Sequence, residues 1–318
     1  MTIKALRFRG DGSDESVDLG EKGEFRVAKD EVLWVDLSSI ESEELATVHR
    51  ALRLSDRAVA ALEADPTEAR ATVFEDAVEV VVPALVDGLD SGPTVLQVLV
   101  GDAWVITRHA EPMPFLDEHR ESIRDERPIG QLSPVEFLVS VLDWHVDSFF
   151  RAAEELEAEV DKLDDAALRT ERDLLDRLVS MRRKIARVRH TLSQNREVFA
   201  ELARADFLPD LEARENEALA GVARRLDRAG EAVAYTREML IGTFDVHMTR
   251  TAQRTNDIMR VLTLASVVLL PSVVLAGIMG MNFQVGLFEE ANLFWVVIGA
   301  MVLMAVGGLG FARSRGWL

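Results

Sequence analysis

The chain has 318 residues, and its 36 lysines and arginines stand against 55 aspartates and glutamates, for a net charge of -19. A field this negative repels polyanions, which argues against nucleic acid as a partner. There is no cysteine, so disulfides and thiolate metal sites are excluded. A length prior of about 150 residues per domain predicts two units.

The first segment, residues 1–130, is predicted to form a cytosolic domain that mixes strands and helices. Its fold class is α+β. Val-rich stretches bounded by Gly, Asp and Pro predict five strands. These strands are Lys4–Phe8, Val32–Leu37, Ala77–Ala84, Val95–Val100 and Ala103–Thr107. Helical patterns lie between them at Ser42–Leu52 and Ser55–Ala64. The pair Gly101-Asp102 is a turn signal and predicts a hairpin between the last two strands.

The second segment, residues 131–255, is predicted to be a helical hairpin followed by a stalk. Ser133 before a proline is a helix start, because Ser caps and Pro suits the first helical position. A second helical run covers about Glu171 to Ala205. A third begins near Leu211 and meets no proline before Pro271, so that a continuous helix would be roughly 100 Å long. A helix of this length needs neighbours or copies of itself to pack against.

The third segment, residues 256–318, is predicted to be a transmembrane hairpin with a short tail. Val261–Met281 and Leu293–Phe311 carry no charged residue. Each run is about 20 residues long, which as a helix spans the hydrocarbon core of a bilayer. The two runs therefore predict a multi-pass protein of the cell membrane with two membrane helices.

The charges that flank these runs predict the orientation. Three arginines precede the first run and two follow the second, whereas the intervening loop has Glu289 and Glu290 and no Lys or Arg. Cytosolic flanks are enriched in Lys and Arg, so both termini are expected in the cytoplasm. The amino terminus has no apolar stretch typical of a signal peptide.

One face of the first membrane run carries its small and polar side chains. Steps of three and four residues back from Gly280 reach Gly277, Val273, Leu270, Ser266, Thr263, Met259 and Asn256. Small residues let membrane helices approach closely, so this face is a candidate packing surface. It is equally a candidate pore wall. Two helices cannot enclose a pore, so the second interpretation requires a homo-oligomer in membrane lipid.

The first run ends in Gly280-Met281-Asn282. One interpretation is a helix C-terminus, where Gly and Asn tolerate left-handed backbone. The other is a ring of amide and carbonyl oxygens at the outer mouth of a pore. Neutral oxygen ligands suit a hydrated hard cation, which sheds its water reluctantly.

These motifs resemble the CorA family of magnesium and cobalt transporters. The matching residues are Asn256–Thr263, Pro271, Ala276–Ile278 and Gly280–Phe283, with weaker matches at Trp34–Leu37, Phe74–Asp76, Ser148–Phe150, Met181–Arg189 and Trp317-Leu318. The resemblance implies a homopentameric funnel whose first membrane helix lines the pore. It also implies that Asn282 receives the hydrated divalent cation, that Met259 and Leu262 form a gate, and that Asn256 forms the cytosolic mouth.

Three departures from the family pattern leave alternatives open. Met279 stands where the family usually has an aromatic residue, and the outer loop lacks the usual Met-Pro-Glu-Leu, so that cation collection falls to Glu289 and Glu290. Gly221 falls near the acidic stalk position that some members use for a regulatory metal. The expected function is Mg2+ uptake, with Co2+ possible. A ZntB-like zinc transporter is the first alternative, and a membrane-anchored sensor or scaffold is the second.

No motif predicts an enzyme or a bound cofactor. The chain lacks a Gly-rich phosphate loop, a Gly-x-Ser-x-Gly elbow and a paired-His zinc motif. Asp143, His145 and Asp147 are close in sequence, but residues two apart do not share a helix face, so they predict no metal site.

Overall fold

The computed structural model describes residues 3–9, 14–19, 27–28, 31–38, 42–85, 89, 92–126, 133–169, 173–209, 211–281 and 293–315. Contacts divide the chain into two compact units. The first unit holds residues 1–166 and 172–243, and the second holds residues 167–171 and 244–318. The three-segment division expected from the sequence stays a prediction.

One sheet forms the centre of the first unit. Its strands are β1 (Ile3–Arg9), β2 (Glu15–Ser16), β3 (Glu31–Leu37), β4 (Arg70–Val73), β5 (Val78–Leu85), β6 (Pro93–Val100) and β7 (Trp104–His109). The spatial order is β2-β1-β3-β7-β6-β5-β4. Neighbouring strands are antiparallel except β3 and β7, which run parallel with Leu33 opposite Trp104 and Leu37 opposite Arg108. The predicted hairpin at Gly101 is confirmed as the β6–β7 connection.

Seven helices complete the described chain. They are α1 (Ser42–Leu52), α2 (Asp56–Glu63), α3 (Pro114–Glu126), α4 (Pro134–Arg169), α5 (Leu174–Leu202), α6 (Ala213–Met279) and α7 (Leu293–Ser314). The hydroxyl of Ser133 accepts a bond from the Glu136 N–H at 3.1 Å, and the Glu136 carboxylate accepts one from the Ser133 N–H at 3.1 Å. This reciprocal pair is a capping box, so the helix start predicted there is confirmed.

The two faces of the sheet bury different side chains because successive residues of a strand point to opposite sides. Leu33, Val35 and Leu37 of β3 join α1 and α2 in one apolar core. On the other face, the Trp34 ring lies 5.4 Å from that of Phe137 on α4, centroid to centroid. The α+β fold expected from the sequence is confirmed.

Helices α4, α5 and the first part of α6 lie in the first unit, and polar contacts join them to one another and to the sheet. Asn195 of α5 donates to the Pro83 carbonyl of β5 at 2.8 Å. The Ser133 hydroxyl, just before α4, donates to Glu215 in the first turn of α6. The whole of α6 is 67 residues long, has Pro271 inside it, and continues past the end of the first unit. The long third helix expected from the sequence is therefore continuous.

A candidate ion pathway along the first membrane helix

Two helices of the second unit are long and apolar enough to cross a membrane: the end of α6, and α7. Within 261–279 of α6, only five residues are partly buried, and all the others are exposed. These five are Leu264, Val268, Ser272, Leu275 and Met279. Their spacing of three and four residues places them on one face of the helix. The sequence contains no signal that would have singled out this face.

Helix α7 has a corresponding row of buried residues on one face. Its partly or fully buried residues recur every three or four positions: Val297, Met301, the adjacent pair Met304 and Ala305, Gly308 and Ala312. A Cβ on Gly308 would lie 3.5 Å from Cγ2 of Val268. The absent side chain at Gly308 lets the two backbones approach here, as small residues do between membrane helices. The two rows of buried residues therefore form the contact between α6 and α7.

The face of α6 predicted from its small and polar residues points away from this contact. At 100° per residue, the centre of the Asn256–Gly280 face lies about 180° from the centre of the Leu264–Met279 face. Every member of the predicted face is exposed, including Thr263, Ser266 and Gly277. Leu270 and Val273 are 64% and 65% exposed, which is high for aliphatic side chains in the middle of a helix. α7 therefore leaves the predicted face exposed.

The expected gate residues are also exposed. Met259 is 55% exposed and Leu262 is 59% exposed. Leu262 is not in step with the polar face, yet it still lies about 120° from the α7 contact. A ring of such side chains from several copies would be an apolar constriction of the kind that gates by dewetting.

Backbone geometry on this helix leaves one carbonyl without its usual donor. Pro271 has no N–H to offer the carbonyl of Val267, four residues before it. The hydroxyl of Ser266 donates to the Leu262 carbonyl at 2.9 Å, so it is satisfied within its own helix while its oxygen still faces outward. Both features put oxygen lone pairs along an otherwise apolar span.

The backbone is closely packed where α6 ends. Gly280 donates to the Ala276 carbonyl at 2.9 Å, and Met281 donates to the Ile278 carbonyl at 3.2 Å. A Cβ at Gly280 would lie 3.3 Å from the Ala276 oxygen, which is closer than most side chains tolerate. Gly280 does not adopt a left-handed backbone, so close approach explains this glycine better than left-handed geometry. Asn282, Glu289 and Glu290 lie outside the described residues.

The polar side chains around Asp143 on α4 form contacts within the first unit. Asp143 and Asp147 both form ion pairs with Arg225 of α6, whereas His145 is fully buried with its Nε2 3.2 Å from the Asn195 oxygen. The two aspartates are therefore neighbours and the histidine is not, as the spacing predicted. No group of three or more metal-ligating side chains occurs in the part of the chain that the structure describes.

A buried network on the sheet was missed from the sequence. The Trp34 indole donates to the Thr107 hydroxyl, which donates to Asp36, and His109 and Arg120 also contact that carboxylate. Burial alone would raise the pKa of Asp36, but the hydrogen bonds from His109 and Thr107 and the charges of His109 and Arg120 together outweigh it and lower the pKa. Burial alone would lower the pKa of His109, and the Asp36 contact raises it. The partners come from distant segments, so no local signal could have found them.

The fold and the two spans define an integral membrane protein with a mixed α/β body and a two-helix hairpin. A family model described as CorA-like Mg2+ transporter protein matches residues 29–310. The chain belongs to the CorA family.

Individual relatives agree with this assignment. The cobalt/magnesium transport protein CorA of Thermotoga maritima is 30% identical over 207 residues, which cover 64% of this chain and 58% of that protein. The complete structure of the CorA magnesium transporter from Methanocaldococcus jannaschii matches with a TM-score of 0.84 at 22% identity, covering 100% of both chains. The cytoplasmic domain of ZntB from Vibrio parahaemolyticus matches with a TM-score of 0.64 at 8% identity, over 80% of this chain and 100% of that domain. The two structural matches support the fold.

Proposed function

We propose that this protein is the subunit of a homo-oligomeric channel for divalent cations in the cell membrane, with Mg2+ as its main ion and Co2+ as a second. By family resemblance the oligomer is a pentamer. The membrane part of α6 lines the pore, and α7 forms the outer ring against lipid. The cations are the cargo and not a resident cofactor.

The observation that carries this proposal is the bare polar face of α6. α7 packs on the face that carries Leu264 and Val268. The opposite face holds Asn256, Thr263, Ser266 and Gly277, and it is exposed. Exposing Ser, Thr and Asn to lipid is unfavourable, because their polar groups need partners there. Copies of this helix around a water-filled path would supply both partners and water.

The roles along the path follow from the chemistry of its residues. Asn282 offers an uncharged amide oxygen for the water shell of a hydrated cation at the outer mouth. Glu289 and Glu290 raise the local cation concentration beside it. Met259 and Leu262 form the apolar gate near the cytosolic end, and Asn256 lies one turn beyond them. Thr263, Ser266 and Gly277 line the wall between gate and mouth.

The membrane potential supplies the driving force. It is worth about 2.3 kcal/mol per elementary charge per 100 mV, and about twice this for a divalent cation. Neither apolar span, 261–281 nor 293–311, contains an ionisable side chain. A proton relay through the pore therefore has no carrier among the side chains of these spans.

The test is ion flux into liposomes that contain the purified full chain. A potential is imposed with a potassium gradient and valinomycin, and Mg2+, Co2+ and Zn2+ entry is followed with an interior indicator. We expect potential-driven Mg2+ entry that Asn282→Ala abolishes while the size of the assembly stays the same. Retained Mg2+ entry in Asn282→Ala would contradict the assignment of the outer mouth.

The gate is tested in the same liposomes with Met259→Ala. Lowering the closed-state barrier by about 1.4 kcal/mol would raise flux tenfold. The matched control is Val261→Ala, because Val261 is also exposed, at 66% against 55% for Met259, but lies on the α7 side of the helix. Equal flux in Met259→Ala and Val261→Ala would remove Met259 from the gate.

The other outcomes separate the alternatives. Zn2+ entry that follows an imposed proton gradient, without potential-driven Mg2+ entry, would assign the protein to the ZntB-like function. Flux of none of the three ions in a correctly assembled sample would favour the anchored sensor or scaffold.

A further inference from the structure

Helix α4 carries an acidic stripe on its outward face. Between Glu154 and Asp165 the sequence has seven acidic residues and one lysine. Four of the acidic residues lie at steps of three and four on one exposed side: Glu154, Glu157, Asp161 and Asp165. The buried side of the same stretch holds Leu156, Val160 and Leu163. None of the four forms an ion pair with any residue in the described ranges.

Helix α5 carries a basic stripe on its outward face. From Arg177 to Arg196 the sequence has seven arginines and lysines and no acidic residue. Arg182, Ala186 and Arg189 share one exposed side, which Leu175 and Val179 extend with exposed fractions of 50% and 43%. Among the described residues, Arg182 and Arg189 have no ion-pair partner. In a chain with a net charge of -19, an unpaired basic surface of this kind needs an explanation.

The two stripes lie at the same height on the helical hairpin. The Nζ of Lys184 lies 3.2 Å from a carboxylate oxygen of Glu159, which fixes the antiparallel register of α5 against α4. Because the helices are antiparallel, a step forward on α4 matches a step back on α5. Two residues are therefore level when their numbers add up to the same value as 159 and 184. By that register Glu154 is level with Arg189, and Asp161 is level with Arg182.

We propose that the acidic stripe of α4 in one copy docks against the basic stripe of α5 in the next copy. The inference rests on the homo-oligomer of the proposed function and adds the surface that joins its cytosolic parts. The proposal requires an oligomer axis that runs along these helices. A rotation about such an axis keeps heights unchanged and brings Glu154 and Asp161 of one copy level with Arg189 and Arg182 of the next. Two different complementary surfaces on one chain form a heterologous interface, which closes into a ring when the rotation between copies is a whole fraction of a full turn.

The overall charge makes such a contact useful. Copies that each carry a large negative charge repel one another at long range. A local acidic-to-basic match offsets this repulsion and fixes which faces meet. Single exposed ion pairs contribute little, so the two pairs act together with the burial of the apolar Leu175 and Val179 beside them.

The first test uses cysteine cross-linking, which is clean because the native chain has no cysteine. The variant carries Glu157→Cys and Ala186→Cys, two exposed and level positions on the two stripes. In membranes, a short bifunctional maleimide should give a ladder of multimers from this variant. Each single substitution should give at most dimers. The control pair Glu155→Cys and Ala186→Cys moves one thiol off the stripe and should give a much weaker ladder.

The second test reverses charges. Arg182→Glu with Arg189→Glu should lower the cross-linked fraction about tenfold, as expected for losing two ion pairs at each contact. Adding Glu154→Arg and Asp161→Arg should restore it. Arg50→Glu with Arg57→Glu makes the same net charge change on exposed positions of α1 and α2 and should leave the ladder intact.

The outcomes also separate this inference from the proposed function. A native oligomer by mass measurement without the α4–α5 ladder would overturn the inference and leave the channel proposal standing. Loss of the ladder on removing anionic lipid, with no rescue by the charge swap, would overturn it in favour of a lipid contact for the basic stripe. A monomer in both measurements would overturn the inference together with the oligomer.

Discussion

Gly101 holds the turn between β6 and β7, where its N–H donates to the Trp104 carbonyl at 2.9 Å. A Cβ at this position would lie 2.3 Å from Cε2 of Trp104, so the indole would have to move. We expect Gly101→Ala to lower the free energy of unfolding by about 1–3 kcal/mol, the usual cost of overpacking. Denaturant unfolding followed by tryptophan fluorescence measures it. Gly92→Ala is the control, because no atom lies within 4 Å of a Cβ there, and equal losses in both variants would contradict the mechanism.

Two buried histidines make stability depend on pH. His119 is 1% exposed among the Trp34, Phe137 and Trp144 rings, and its two ring nitrogens have no hydrogen-bond partner among the described residues. Burial, with the charge of Arg120, lowers the pKa of His119 to about 4. Burial also lowers the pKa of His145 to about 4, although its contact with Asn195 opposes this.

The sign of the effect follows from proton binding. Between the unfolded pKa of about 6.5 and the folded pKa of about 4, the unfolded chain binds more protons than the folded one. Stability is therefore full above pH 6.5 and falls as the pH drops through this window, by up to about 3 kcal/mol for each histidine. His109 acts in the opposite direction and in a different pH range. Its raised pKa adds stability that is lost only as the pH rises above 6.5.

The measurement is the free energy of unfolding between pH 7.5 and 4.5, with Trp fluorescence as the signal. His119→Phe keeps a ring in the aromatic cluster and removes the titrating group. We expect this variant to lose about half of the pH slope of the native protein. An unchanged slope would mean that His119 titrates normally in the folded protein.

At the scale of elements, the contact between α6 and α7 depends on the missing side chain at Gly308. Its backbone lies against Val268, whose Cγ2 would be 3.5 Å from a Cβ added at this glycine. Alanine would just fit, but leucine would push the helices apart, so Gly308→Leu should destabilise the hairpin by about 1–3 kcal/mol. Thermal unfolding in detergent should show a lower Tm. Gly310→Leu, with no atom within 4 Å, should not, and a similar Tm drop in both variants would count against this contact.

Elements with a strong period were predictable from the sequence, and others were not. The strand predicted at Val32–Leu37 lies within β3, and the helix predicted at Ser42–Leu52 is α1. β4 was missed because its four residues are too short a run to stand out from the loops beside it, and α3 was missed because most of its residues are polar. The parallel pairing of β3 with β7 is a long-range contact that no local pattern encodes.

The same limit applies to the candidate pathway. Helical periodicity was enough to place Asn256, Ser266 and Gly277 on one face of α6. It could not say which side α7 would cover, because that depends on where two helices meet. In the structure α7 covers the opposite side of α6, so a packing face against α7 does not account for the polar stripe. A packing face against other copies is the arrangement that the channel proposal requires.

At the scale of the whole molecule, the orientation in the membrane decides which compartment the large acidic body faces. Arg250, Arg254 and Arg260 precede the first span and Arg313 and Arg315 follow the second, whereas 282–292 has no basic residue. The positive-inside rule predicts that both termini, and with them most of the net charge of -19, lie on the cytosolic side. Because the native chain lacks cysteine, single thiols report their own location without background.

We expect Gln284→Cys, in the loop between the spans, to react with a membrane-impermeant maleimide added to intact cells. Arg315→Cys should react only after the cells are permeabilised, because it follows the second span on the cytosolic side. The reverse labelling pattern would place the body outside the cell. The two glutamates of the loop would then face the cytosol, and the proposed direction of uptake from Asn282 toward Met259 would have to be inverted.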